Sequence, residues 1–594
     1  MKKNLIKRDN ISLIIPLILA ISIIPLIIYA KYYLLDAQTA SFWTGKTENI
    51  EFFTYYKALW LQILGTICLG IAVYYIVKNR KSVKSLPVYI VIPLGIYAIL
   101  SVLSAFASKY PQIALYGYPE RYEGLFVILF YIVLCLSAAL LITSGKQLNY
   151  IFTFLFIAAS IIAIIGVFQT FNLDLFKSGF GKKLILPSSM YHLIDQLNFT
   201  MKDNVIYTTL QNPNYVGIYF AMTFNLTTAL YFLNNKKSIK ITLALLSFLF
   251  FYALLGSKST AGFIGAFVGL FIILIFTRKK IIKEWKFSII PIVLIIGCLI
   301  LANSMSDGYI YRAWIGKFLT QQSNPQSITN NGSITDFSSH DSDFLINVGP
   351  DTLIVRLDPE KGYLFLDQNN SQLSLSFIDS SHFTVNDNRF NKITFFVGSN
   401  RMQVIATNTQ FIISYNEKGY FQFVNTMDTP IDLVTPATYG FEGKELWGSS
   451  RGYIWSRSIP LIKNNILIGG GPDTFAMQFP QNEYNAKMKY LSSVYSVVDK
   501  PHNFYLQVAI NSGLISLIAL LFAFSAYFVW SVKLYINPKS DNCFYYYGVA
   551  CLATVCAFLV NSISTDSTVN ASPVFWIVLG CGIACNKMYK KTII

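Results

Sequence analysis

The stretch DKPHNFYLQVAINSGLISLIALL, Asp499–Leu521, sets Lys500, His502 and Asn503 at the lip of a long apolar run, in a chain with only four histidines. A neutral imidazole accepts a hydroxyl proton near neutral pH, so His502 is a candidate general base. Other cationic and amide side chains sit at the ends of other apolar runs. They are Arg121 and Glu123 in YPERYEG, Gln211, Asn212 and Asn214 in LQNPNY, Lys258 in GSKSTAG, and Arg451 and Arg457 in SSRGYIWSRS. Arginine donates in a planar fork that matches phosphate oxygens, and lysine acts as a point charge. A ring of such groups beside a lipid face suits an anionic, lipid-linked ligand. Each group also has a plainer reading. Asn212-Pro213-Asn214 is an ordinary helix entry with a capping side chain. Arg121 and Glu123 read equally as a surface ion pair. Lys258 and Arg457 read as snorkelling anchors. The GGGP run at Gly469–Pro472 is a turn that lacks the Lys-Ser/Thr of a phosphate loop. His192, His340 and His382 have no metal-ligand spacing, and no carboxylate cluster suggests a metal site.

The elements that must position these residues are apolar runs. The chain is 54% hydrophobic and only 13% charged, about half the charge of a soluble domain. Runs long enough to cross a bilayer recur from Ile11–Leu34 to Ser572–Cys585, and predict a polytopic α-helical membrane protein with about twelve transmembrane helices. Asp499–Leu521 opens the tenth, Phe504–Val532. The net charge of +17 does not indicate nucleic acid, because the lysines and arginines cluster in every second short loop. The positive-inside rule makes those loops and both termini cytoplasmic, so the candidate groups fall on the other side. Few ionisable residues lie deep in the runs, where ion-coupled carriers place them. The long loop 304–503 breaks the pattern. Segments such as DTLIVRLD, GYLFLDQ, NKITFFVG and FIISYNE alternate apolar and polar residues between Asn, Asp and Gly turns. They predict an extracytoplasmic all-β, sandwich-like insert from about 336 to 436. Four parts are expected: a membrane domain over 1–304, a linker plus β insert over 305–446, a helical motif segment over 447–503, and a final membrane segment over 504–594.

The ordered motifs GSSRGYIWSRSIPLIKNNILIGGGPDTF and KPHNFYLQVAINSGLISLIALL resemble the C-terminal block of the O-antigen ligase and polymerase superfamily. Upstream, YPERYEGL, LQNPNYVGIYFAM and GSKSTAGFIGAFVGL resemble its other elements in order, with Lys258 where arginine is usual. The β insert has no counterpart in that pattern. The resemblance implies a C-type-like, metal-independent glycosyltransferase with no cofactor, on the outer face of a bacterial cytoplasmic membrane. The donor would be a glycan on undecaprenyl diphosphate, and the acceptor another glycan, a lipid or a protein. His502 would be the general base and Arg451 would stabilise the leaving diphosphate. Arg121, Lys258, Asn503, Asn212, Asn214 and Arg457 would bind substrate, and membrane lipids would be the remaining partner. Two other classes stay open: a transporter or flippase of lipid-linked saccharide, and a membrane-anchored glycan-binding sensor.

Overall fold

The computed structural model describes residues 10–593 except 43–44, 81–84, 198, 200–204, 341, 359, 399, 417–418 and 492; of 287–332 it describes only 289, 290, 293, 296, 297, 300 and 304. In chain order the principal helices are α1 (Ile15–Ser22), α2 (Tyr55–Lys78), α3 (Val88–Phe106), α4 (Leu125–Leu141), α5 (Gly145–Thr170), α6 (Pro213–Leu233), α7 (Lys237–Gly256), α8 (Thr260–Lys283), α9 (Trp447–Leu461), α10 (Tyr484–Tyr490), α11 (Phe504–Asn511), α12 (Leu514–Tyr535), α13 (Cys543–Asn561) and α14 (Ser572–Ile593). Among the described residues eight of them, α2, α3, α5 to α8, α12 and α13, are long and apolar enough to cross a membrane.

That count is lower than the expected twelve, for local reasons. The first run is helical only over Ile11–Leu26. Pro25, which lacks a backbone N–H, stands in its last turn. The chain then extends, and β1 (Lys31–Leu34) pairs with β2 (Glu48–Glu51). Helix α4 is apolar but shorter than the eight. Helix α14 carries Asn586, Lys587, Lys590 and Lys591 in its second half. The run Phe287–Ala302 falls largely outside the described residues. The tenth run, expected as one helix, is broken between α11 and α12 at Gly513, which adopts φ 103°. There the amides of Gly470 and Gly471 take the carbonyls of Ile510 and Asn511 at 3.1 and 3.0 Å, which ends α11.

Helix α6 lies at the centre, its apolar window wholly buried, packed against α7, α8 and α13. The basic loops gather at one end of the bundle. There Lys280 donates to Leu233 O and Asn235 Oδ1, Lys587 donates to Ala139 O at 2.7 Å, and Lys240 pairs with Glu284. At the opposite end the α11 entry bonds to the loop after α13, Phe504 N to Ser562 O at 3.0 Å. The α8 cap Ser259 donates to Asn214 at the start of α6 (3.3 Å).

The alternating segments form two antiparallel meanders. One is β3 (Asp336–His340), β4 (Asp343–Val348), β5 (Asp351–Asp358) and β6 (Gly362–Asp367), in that order. The other runs in sequence from β7 (Leu375–Phe377) through β8 (His382–Val385), β9 (Thr394–Val397), β10 (Arg401–Ile405), β11 (Gln410–Tyr415) and β12 (Phe421–Val424) to β13 (Pro430–Ile431). Phe337, Phe344 and Phe365 of the first share one buried core with Phe383, Phe395, Phe411 and Phe423 of the second. Period-2 alternation puts those residues on the inner faces. Tyr484 and Met488 of α10 join the same core. Asn485 exchanges hydrogen bonds with Phe337, donating to its carbonyl at 2.9 Å and accepting from its N–H at 3.1 Å.

Candidate active site

Sequence around His502 builds a fixed loop. Asn503 is the N-cap of α11, its Oδ1 accepting from the amides of Tyr505 (2.9 Å) and Leu506 (3.0 Å). That side chain is used for capping, which offsets orphan helix donors. Two residues earlier, Trp455 of α9 donates its indole N–H to Pro501 O at 2.7 Å. Between these two anchors His502 takes φ 50°, the left-handed region that few non-glycine residues enter. Its ring is about a third exposed, and Nδ1 lies 3.4 Å from Oδ2 of Asp566. Asp566 comes from the loop between α13 and α14 and is 1% exposed. Its Oδ1 accepts the Asn503 N–H at 3.2 Å.

Asp566 is the electrostatic centre of the site. Burial alone would raise its pKa, but the His502 ring, Arg121 and Lys500 outweigh that and hold it down at about 2. Burial opposes the charge on Lys500 as well, yet Asp499 at 3.1 Å, Tyr215 and Asp566 raise its pKa above the ordinary lysine value. Arg451 opens the regular turns of α9 after three left-handed residues, Gly448, Ser449 and Ser450. Burial lowers its pKa against the pull of Asp566. Its Nη1 donates to Gly448 O at 2.6 Å, while its buried Nε has no hydrogen-bond partner among the described residues.

Arg121 and Glu123 do not form the exposed rim pair expected of them. Both are buried, and the principal partner of Arg121 is Asp473, with Nε to Oδ1 at 2.7 Å. Glu123 stands further off, 3.8 Å from Nη2. Asp473 sits in the turn after the glycine run and also accepts the amides of Tyr118 (2.8 Å) and Glu123 (3.1 Å). It thereby folds YGYPERYEG into one compact turn. Arg121 Nη1 is buried without a hydrogen-bond partner among the described residues. The Glu123 carboxyl accepts from Tyr131 and from Ser567 at 3.0 Å. Burial pushes its pKa to about 7 despite Arg121. Glu120 is likewise pushed up to about 7, by burial and by Glu51.

The remaining sequence candidates divide. Asn212 caps α6, its Oδ1 accepting the Asn214 amide at 2.9 Å. Tyr215, one residue beyond Asn214, feels Lys500, Asp566 and Arg121, so the start of α6 adjoins the site. Lys258, at φ 55°, immediately precedes Ser259 and reaches this neighbourhood through the Ser259–Asn214 bond. Arg457 is elsewhere. Its fork is filled by Glu483, with Nε to Oε2 at 3.0 Å and Nη2 to Oε1 at 2.8 Å. Nη1 donates to Ser456, and the guanidinium stacks on Tyr453. Sequence reasoning missed Asp566 and Asp473. Asp566 is the only acid in NSISTDSTVNASP, and Asp473 follows the glycine run directly; both positions were available signals. No group of three or more His, Cys, Asp or Glu that could hold a metal is present among the described residues.

The helices and this polar end define a polytopic membrane protein. Residues 393–521 match the family model described as O-antigen ligase. The matched segment contains Arg451, Arg457, Asp473, Lys500, His502 and Asn503, and it bears out the resemblance read from the ordered motifs. That match over 393–521, together with the membrane helices, fits a membrane glycan-processing protein. No curated protein and no solved structure matches the chain.

Proposed function

We propose that the chain is a glycosyltransferase on the outer face of a bacterial cytoplasmic membrane, with both termini cytoplasmic and the β insert outside. It transfers or polymerises a glycan from undecaprenyl diphosphate onto a glycan, lipid or protein acceptor in surface polysaccharide assembly. The observation that carries this reading is the His502–Asp566 pair, ringed by Lys500, Arg451 and Arg121. A buried carboxylate at Nδ1 favours the tautomer that leaves Nε2 as a base and stabilises the imidazolium that forms. His502 takes the acceptor hydroxyl proton, the acceptor oxygen bonds to the anomeric carbon, and the bond to the diphosphate oxygen breaks. Charge grows on that oxygen. The open donors of Arg451 and Arg121, with Lys500, would stabilise it as it forms. Asn212, Asn214 and Lys258 form the neighbouring wall toward sugar and lipid headgroup. Neither metal nor nucleic acid enters the reaction.

A flippase places ionisable groups mid-membrane. In the described spans the charged residues stand within two turns of a helix end, as Lys57 does at the start of α2. The deciding experiment mixes purified protein in proteoliposomes with a lipid-diphosphate glycan and acceptors. New glycosidic product, lost in a folded His502→Ala variant, is the expected result. Donor crossing the bilayer without a new bond would replace the enzyme by the transporter.

A further inference from the structure

A cleft of about 390 Å³ lies between the β insert and the helical motif segment. Phe42 from the N-terminal region, Asn425 from the insert, and Gln481, Asn482, Lys487 and Val497 from the helical segment all line it. Three features give this cleft a chemistry. Amide side chains and aromatic rings share its wall, a mixture suited to sugar hydroxyls and ring faces. Among the described residues, Lys487 is the one cation on the wall and no carboxylate lines it. Lys487 is 2% exposed, and its ammonium has a single hydrogen-bond acceptor among the described residues, Gln481 Oε1 at 3.2 Å. An ammonium carries three donors, so two are left for an occupant.

We propose that this cleft is a second glycan subsite, which holds an acidic sugar chain through a carboxylate on Lys487 and hydroxyls on Asn482, with Gln481, its amide bonded to Ala476, Val498 and Lys487, positioning the ammonium. Desolvation supports the assignment: burial holds Lys487 at about 7, and an anion beside it restores the favoured charge. The cleft is wired to the reacting loop. Gln481 Oε1 accepts the Val498 amide at 3.1 Å and its Nε2 donates to Val498 O at 2.9 Å. Val497 lines the cleft, and His502 is five residues further on, at most about 18 Å of extended chain. A chain gripped here thus keeps its end within reach of the imidazole. Its use in transfer rests on the glycosyltransferase reading, whereas binding itself does not.

The test is direct binding of hexagalacturonate to the full-length protein in detergent, with neutral maltohexaose as the paired probe and saturation-transfer NMR as the readout. Saturable binding of the acidic probe is expected, weakened at least tenfold by Lys487→Met and by Val434→Trp. The first variant keeps the buried stem. The second fills the cleft from a position 41% exposed, so folding is not at stake. His502→Ala should bind the probe as the unaltered protein does, even where transfer is lost, which separates failure of the subsite from failure of the transferase reading. No binding of the acidic probe, equal binding of the neutral one, or indifference to both cleft variants would overturn the proposal.

Discussion

Asp566→Asn isolates the carboxylate behind His502 with little change of shape. The asparagine keeps an Oδ1 to accept the Asn503 amide, now at 3.2 Å, but puts an NH2 where Oδ2 faced the ring. Two donors then oppose one another, and the imidazolium formed during transfer loses its counter-charge. At 3.4 Å a unit pair at an effective dielectric of about 20 is worth about 5 kcal/mol. The imidazole is 32% exposed, so water screens part of this, leaving about 2–3 kcal/mol in the transition state. That corresponds to a fall in kcat of about 30- to 150-fold. It overlaps the low end of general-base contributions, about 100- to 10,000-fold. The assay is single-turnover transfer from lipid-diphosphate glycan at saturating acceptor, with thermal melting run in parallel. His502→Ala should be no faster than Asp566→Asn, and the double variant should add little, because the two residues act as a unit. Transfer by folded Asp566→Asn within threefold of the unaltered protein would refute the role given to the pair.

Four further outcomes are expected. Arg451→Ala should lower kcat about 100-fold, and Arg451→Lys, which keeps charge without the fork, about tenfold in the same assay. Arg457→Ala strands Glu483 in a buried site, so it should cost about 3–5 kcal/mol of stability; thermal melting should show the loss, and Arg457→Met with Glu483→Met should recover most of it. Asn503→Ala removes a cap worth about 1 kcal/mol while Asn503→Ser retains it, visible as a lower melting midpoint for the alanine alone. For Lys487, burial holds the folded pKa at about 7 against the ordinary 10.5. Between those values the unfolded chain binds the proton that the folded protein resists, so stability falls as pH drops from about 10.5 to about 7. The Lys487→Met gain in melting midpoint should therefore be absent above pH 10.5, grow to a few degrees near pH 7 and level off below; a gain independent of pH would contradict it.

The apolar runs marked most spans because bilayer thickness fixes helix length, and strand alternation marked the insert because its inner faces share one core. What stayed hidden was long-range pairing. Arg121 and Asp473 are 352 positions apart, and no local pattern couples them. The same holds for His502 and Asp566, brought together only where α11 meets the loop after α13. The break at Gly513 was also invisible as hydropathy, since the chain is apolar on both sides and a distant glycine turn supplies the amides that end α11. Arg457 could have been separated from Arg451 by geometry alone. Six residues at about 100° each leave the two side chains about 120° apart around α9, so one facing Asp566 leaves the other facing Glu483.

Backbone strain gives an independent reason to place function at this end. His502 (φ 50°), Lys258 (φ 55°), Asp473 (φ 58°), Glu120 (φ 62°), Tyr122 (φ 50°) and Gln211 (φ 73°) are all left-handed and none is glycine. Each costs about 1–2 kcal/mol, and such residues persist only where their surroundings over-determine them. The surroundings do so here through specific bonds. Asp473 holds Tyr118 and Glu123 amides, Trp455 holds Pro501, and Asn570 reaches Gln211 while sharing Lys57 with Thr209. Five of these residues occupy the turns entering α4, α6, α8 and α11, and Asp473 the turn after the glycine run, where the chain leaves the apolar layer and non-helical backbone becomes tolerable. A polar end that served only to solvate loops would not need them. Charges aimed by rigid turns before a ligand arrives require no reorganisation when negative charge develops, which is the property a diphosphate leaving group calls for.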